Sequence, residues 1–209
     1  MNLSEDAAAD ALIRGLVAGA CVGTGCFLRL YYGGPLAGAA LLALGFVGAP
    51  LFGGAPFPCP PMDRAEAGVL ALLLTGNIIG TLPPGLLYLA YPKVELAARE
   101  LCQVKFQNGM ILCLVKAVPC GLLLFVVDRC RRRGGRLRPT AFFACSLLAA
   151  TAWFLSGPEH CVLNAAYLFI GQLYAVSPLE SLALLVVTGA GNLLGARLGR
   201  TLLAGLEAW

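Results

Sequence analysis

"SGPEHCVLNAAYLFIG" (residues 156–171) sets Glu159 and the chain's single histidine, His160, inside an otherwise apolar run, directly behind a Gly-Pro pair. Proline has no backbone N–H and clashes with the preceding turn, so a continuous helix does not run through Gly157 and Pro158. The apolar character resumes at once beyond them. Irregular backbone at membrane depth is tolerated only where protein or a water-filled cavity satisfies the freed amides and carbonyls, so this break is expected to line a pathway.

The rest of the chain supports a membrane setting. Of its 209 residues 59% are hydrophobic and 12% charged, against about 25% charged in a soluble domain. The mean hydropathy is +0.81. A crossing helix needs roughly 20 apolar residues, so the length holds about six spans and little else. Apolar runs between charges and breakers place them at about 11–32, 36–55, 67–91, 106–127, 140–172 and 179–205. The expected architecture is all-α and transmembrane, a single channel domain over residues 1–209.

The fifth span is too long for one crossing and holds the Gly157-Pro158 break. The second holds "GAPLFGGAP" (48–56), where Gly48, Pro50 and Gly53 interrupt a helix in the same way. Each break is followed in the next span by a similar phrase, "TGNIIGTLPPG" (75–85) and "TGAGNLLGARLG" (188–199). Two halves of three spans, each with an interrupted second span, point to an inverted repeat with its site at the midplane. Gly15, Gly19, Gly23, Gly76, Gly80, Gly191, Gly195 and Gly199 recur at four-residue spacing, which lets helix backbones approach closely. Asn77 and Asn192 are candidates to bond the broken segments or simply a neighbouring helix.

The charge pattern assigns topology rather than a nucleic-acid face. The net charge is +4, but Arg129, Arg131, Arg132, Arg133, Arg136 and Arg138 crowd into one loop, 129–139. The positive-inside rule puts that loop in the cytoplasm, which places both termini inside and the loop around Lys93 to Lys105 outside. "RRRGGRLR" could also meet anionic lipid, although topology already explains it. The opening "MNLSEDAAAD" is acidic and lacks the basic start of a signal peptide, so the first apolar run is expected to be retained. Nine scattered cysteines with no CxxC pair and one histidine argue against a metal site or disulfide framework. With no second histidine, nucleophile elbow or P-loop, no enzyme chemistry and no cofactor are expected.

Ionisable residues within spans cost about 2.5–3.5 kcal/mol on insertion scales, so they usually face a pathway or a partner. Three stand out: Glu159, His160 and Lys116. Glu159 starts a half-helix, where its charge complements the positive dipole end and its oxygens can cap free amides, or it serves transport. His160 either lines a pore or makes an interhelical bond. Lys116 either attracts a solute, or snorkels, or pairs with Glu159 or Asp128.

Taken together, these residues resemble the formate/nitrite transporter family. "SGPEHCVLNAAYLFIG" is similar to that family's Gly-x-Glu-His-(Ser)-x-x-Asn signature and "GAPLFGGA" to its Gly-Ala-Glu-Leu-Phe-Thr break. "TGNIIG", "FQNGMILC" and "GNLLG" follow in the family's order over nearly the whole chain. The resemblance implies a homopentamer of aquaporin-like six-helix protomers, each with its own pore for small monovalent anions such as formate, nitrite or hydrosulfide. It also implies a central histidine between two apolar constrictions; because an anion stripped of water there favours its neutral acid, permeation is expected to be proton-linked through that histidine. Carried over by position, His160 is that histidine and Asn164 the signature asparagine. Leu41 and Phe52 belong to the cytoplasmic constriction and Trp153 to the outer one.

The departures are specific. The family's Glu and Thr in the first break are Pro50 and Gly53 here, which removes a hydroxyl near the histidine, and the family's pore-side Asn falls on Cys113. Lys93 lies about a turn too early, and Lys105 too late, for the outer-vestibule lysine, so either could serve. Lys116, three residues after Cys113, shares its helix face and could replace part of the lost attraction. The sequence therefore leaves two rivals: a neutral-solute channel of the same fold for water, ammonia or hydrogen sulfide, and a non-conducting membrane assembly subunit. The expected location is a bacterial inner membrane, and the partners are the bilayer, the anion and further copies of the chain.

Overall fold

A computed structural model describes residues 5–58, 67–132 and 139–207. It is an all-α bundle, with no strand among the described residues. The arginines at 133, 136 and 138 lie outside the described residues, as do the side chains of Asp128, Arg129, Arg131 and Arg132.

The chain opens with α1 (Glu5–Tyr32) and α2 (Pro35–Gly48), joined through Gly33 and Gly34, both at positive φ. A 3-10 turn over Ala49–Phe52 ends at Gly53, φ 78°, and the backbone is non-helical from there to Pro58. Then α3 (Ala67–Gly80) continues through the short α4 (Leu82–Gly85) and a 3-10 turn to Ala90. After α5 (Pro92–Asn108) and α6 (Met110–Arg132), the next span is split. Its parts are α7 (Pro139–Leu155) and α8 (Cys161–Ile170), separated by non-helical backbone at 156–160. The short α9 (Leu173–Val176) leads to α10 (Pro178–Glu207).

Among the described residues four segments are individually long and apolar enough to cross a membrane: Glu5–Tyr32, Pro35–Phe52, Ala67–Ala90 and Pro178–Leu202. The expectation of an integral membrane protein therefore stands. Two details differ from the sequence reading. The stretch around Lys93 to Lys105, read as a loop, is helix α5, and it meets α6 at 106°. Its seventeen residues include Lys93, Glu95, Arg99, Glu100 and Lys105, too polar to cross, yet they propagate a helix well. Pro92 starts it, Glu95 and Arg99 pair one turn apart at 3.0 Å, and Gly109 at φ 79° stops it. Val94, Ala98 and Cys102 face inward at four-residue spacing, so α5 lies on the bundle by one face. The fourth span therefore begins at Met110 rather than 106. The other difference concerns the second span: no second half-helix follows its break among the described residues, whereas α7 and α8 flank the fifth.

Packing repeats between the halves. α1 packs on α3, and α6 on α10. A Cβ at Gly19 would overlap the Asn77 carbonyl oxygen, and one at Gly121 would overlap that of Asn192. Both pairs of backbones thus touch at a glycine facing an asparagine, where any larger residue would force the helices apart. At the centre α2 packs on α7, and α8 is buried from Cys161 to Leu168. A helix apolar on all sides belongs in a core.

Candidate functional site

The two breaks meet at His160. Its side chain is fully buried and caps α8: Nδ1 accepts from the Val162 amide at 3.2 Å. Its Nε2 lies 2.6 Å from the Phe57 carbonyl oxygen, 103 residues away in the first break. A carbonyl oxygen only accepts, so Nε2 carries the proton and donates, while Nδ1 is the acceptor. The ring is therefore a neutral imidazole with one tautomer satisfied at both nitrogens. Phe46 of α2 meets it edge to face at 4.9 Å, and Phe46 in turn lies 5.3 Å from Phe154.

Each break is held by an asparagine from the following span. Asn77 donates to the Ala55 carbonyl at 3.0 Å and accepts from the Phe57 amide at 3.2 Å. Asn192 donates to the Glu159 carbonyl at 2.9 Å and accepts from the Cys161 amide at 3.0 Å. In each case the amide brackets one residue of non-helical backbone, Pro56 in one half and His160 in the other. Asn192 also donates to the Ala117 carbonyl on α6 at 3.0 Å. Asn77 thus bonds the first break, Asn192 bonds both the second break and a neighbouring helix, and both are completely buried.

On one side of His160 lies a polar chain. Lys105 Nζ sits 2.6 Å from both Glu159 oxygens, and the two side chains are 12% and 6% exposed. Asn164 donates to Glu159 Oε2 at 3.0 Å and reaches Thr188 Oγ1 at 3.4 Å. Asn164 Oδ1 has no partner among the described residues. This assembly borders a cavity of about 400 Å³, lined among others by Arg29, Glu100, Lys105, Lys116, Glu159 and Tyr167. Gly157, at φ 70°, and Pro158 complete its wall beside Glu159.

The remaining sequence candidates fall as follows. Lys93 sits 4.0 Å over the Tyr31 ring, off the cavity, so Lys105 is the lysine that meets Glu159. Since Glu159 is taken by Lys105, Lys116 has no ion-pair partner among the described residues. Cys113 is buried, its sulfur 3.7 Å from the Lys105 carbonyl oxygen. Leu41 and Phe52 line a second, apolar groove of about 400 Å³ with Leu51, Gly48 and Phe143, and Phe52 is 72% exposed there. Trp153 is half-buried, and Pro50 lies half-buried in the 3-10 turn.

Sequence reasoning missed Phe46, the Phe57 carbonyl, Thr188, Arg29 and Tyr167. Thr188 was within reach, because it precedes Asn192 by one helical turn and so shares its face. Arg29, a cation in the last turn of the first span, could also have been singled out. Nothing in the sequence marks a backbone carbonyl as the histidine's partner. Among the described residues no group of three metal-ligating side chains comes together.

No protein-family model matches this chain, and no curated protein sequence does. A solved structure of a pentameric formate channel with formate bound superposes with a TM-score of 0.79, covering 99% of each chain at 16% sequence identity. The chain shares the fold of that channel from end to end.

Proposed function

We propose that this protein is a membrane channel for small monovalent weak-acid anions of the formate, nitrite and hydrosulfide type, working as a homopentamer with one pathway per protomer. The observation that carries the reading is the completely buried His160, held where two interrupted spans meet and next to a cavity rich in cations. The shared fold with a formate channel supports it. A bacterial inner membrane with both termini cytoplasmic is the setting that the arginine loop favours.

The residues favour a particular division of labour. An anion entering an apolar slit loses hydration, which disfavours its charged form. A weak acid escapes that cost by taking a proton. His160 has its Nε2 proton committed to Phe57 and its Nδ1 lone pair committed to Val162, so it acts as a fixed polar element rather than as a relay. The proton therefore comes from water in the cavity, and the neutral acid passes Phe46 and Phe154. Above the acid's own pKa, each unit of falling pH raises its neutral form about tenfold, so uptake increases in acid.

The test is uptake of labelled formate into proteoliposomes at about pH 5 and about pH 7.5, on either side of an ordinary histidine's range. Wild type is expected to take up formate faster in acid, and His160→Phe is expected to lose that uptake while remaining an assembled oligomer. Wild-type flux in His160→Phe refutes the site. The saturated imidazole also favours a second reading, a channel for neutral solutes, which predicts flux of hydrogen sulfide or ammonia with no dependence on anion charge.

A further inference from the structure

One charge on the wall of the cavity beside Glu159 works against the entry of an anion. Glu100, on α5, lines that wall and is exposed, so bulk water reaches it. Its carboxylate makes no hydrogen bond or ion pair among the described residues, while Glu95 and Arg99 beside it on α5 pair with each other. The other ionisable groups that face it are committed or hold their protons firmly. Glu159, before α8, has both oxygens on Lys105 of α5 and one of them also on Asn164. The Tyr167 hydroxyl of α8 meets the Cys26 thiol. Arg29 of α1 carries a guanidinium, which does not deprotonate in proteins. Lys116 of α6 offers an ammonium, which as a class releases its proton far less readily than a carboxyl group. His160 has both ring nitrogens engaged.

We propose that Glu100 is the proton relay of the pathway, taking a proton from bulk water and passing it to the weak-acid anion in the cavity. The inference rests on the proposed weak-acid pathway and names the side chain that serves its protonation step. Hydronium gives its proton to the Glu100 carboxylate and becomes water. The Glu100 O–H bond then breaks as an O–H bond forms on formate, and Glu100 returns to carboxylate. The proton leaves with neutral formic acid and is released to water on the far side, with no change of oxidation state anywhere. Donor and acceptor are both carboxyl groups, so neither direction of transfer is strongly uphill, which is the condition for an efficient relay. Such a relay matters where hydronium is scarce, and hydronium is roughly 300-fold scarcer at about pH 7.5 than at about pH 5.

Initial formate uptake into proteoliposomes at these two pH values separates a relay from a mere charge. Glu100→Gln alters an exposed, unbonded side chain, so the oligomer should fold and assemble normally. With the relay gone, uptake at the higher pH is expected to fall about tenfold, less than the loss of a fully enclosed general acid because water still competes as donor. At the acid pH hydronium protonates formate directly, and the variant should match wild type or exceed it. A Glu100 that acted only by repelling the anion would, once removed, speed uptake at both pH values. Glu100→Asp, which keeps the carboxyl, should retain most of the uptake at the higher pH. A small buffer acid such as imidazolium, raised at constant pH and ionic strength, should restore Glu100→Gln there, which it could not do for a structural defect. Glu95→Gln removes the same charge from the same helix, off the cavity wall, and should behave as wild type throughout. Uptake by Glu100→Gln that is unchanged or faster at the higher pH overturns the relay, as does a loss that the buffer acid does not repair. The pathway is judged separately, on wild type. No formate uptake above empty vesicles rejects the pathway and the relay together, whereas acid-stimulated wild-type uptake that Glu100→Gln leaves intact at the higher pH rejects the relay alone.

Discussion

Lys105 and Glu159 lie 54 residues apart and nearly out of water, with the lysine ammonium on both carboxylate oxygens. Removing one partner of such a pair leaves a buried charge uncompensated, which costs about 3–5 kcal/mol. Lys105→Met is therefore expected to lower the unfolding temperature of the detergent-solubilised protein markedly. Removing both charges should not. The double variant Lys105→Met, Glu159→Gln keeps an amide that Asn164 can still reach, and it is expected to recover most of the loss. A double variant as unstable as the single one would show that the ion pair does more than neutralise Glu159. Of this network, Glu159 was legible from its place behind a helix break, and Asn164 from the family signature that the stretch resembles. Lys105 was visible only as one of two candidates, because a lysine's reach across a bundle is not encoded by its distance along the chain.

At the scale of elements, the fold rests on two asparagines doing the same work in opposite halves. A break in a helix leaves amides and carbonyls that the membrane cannot satisfy, and a side-chain amide, with one acceptor and two donors, can serve both kinds. Asn77→Ala removes the partners of the Phe57 amide and the Ala55 carbonyl, and each buried group left unpaired costs about 1–3 kcal/mol. The same residue steadies Phe57, whose carbonyl holds His160, so Asn77→Ala is expected to reduce formate flux per folded oligomer although residue 77 is not at the His160 break. Asn192→Ala should reduce it as well, and normal flux in either variant counts against coupled breaks. Gly121→Ala tests the helix crossing itself. Its methyl would meet the Asn192 carbonyl, so α6 and α10 must separate and the melting temperature should fall; an unshifted melt argues against so close a crossing. The breaks, the asparagines and the glycine rows were readable because membrane depth makes irregular backbone and small-residue spacing conspicuous. Helix α5 was not, because a polar stretch between apolar runs reads as a loop when its inward residues, Val94, Ala98 and Cys102, occur only once per turn. The exposed position of Phe52 was hidden for another reason: a motif match fixes order along the chain, not the direction in which a side chain leaves a 3-10 turn.

At the scale of the whole molecule, every residue of the proposed pathway comes from one chain. His160, both breaks, both asparagines and the cationic cavity come from one chain. Closed symmetric oligomers often build a site at their axis from one residue per subunit, and in that case a single defective subunit disables the whole. A site complete within each protomer predicts the opposite. When wild-type and His160→Phe chains are co-expressed and purified as mixed oligomers of the proposed pentamer, formate uptake should fall in proportion to the fraction of variant subunits. An equal mixture should retain about half of the wild-type rate, whereas a shared axial pore that needs five intact subunits would retain only about a thirtieth. Uptake measured over a series of mixing ratios, with subunit composition determined on the same samples, tells a straight line from a steep curve. The straight line assigns conduction to the protomer. It also gives the oligomer a role outside conduction, in covering the apolar flanks that α2, α6 and α10 leave exposed, where Leu44, Ile111, Val115, Leu182 and Val186 stand clear of their own chain.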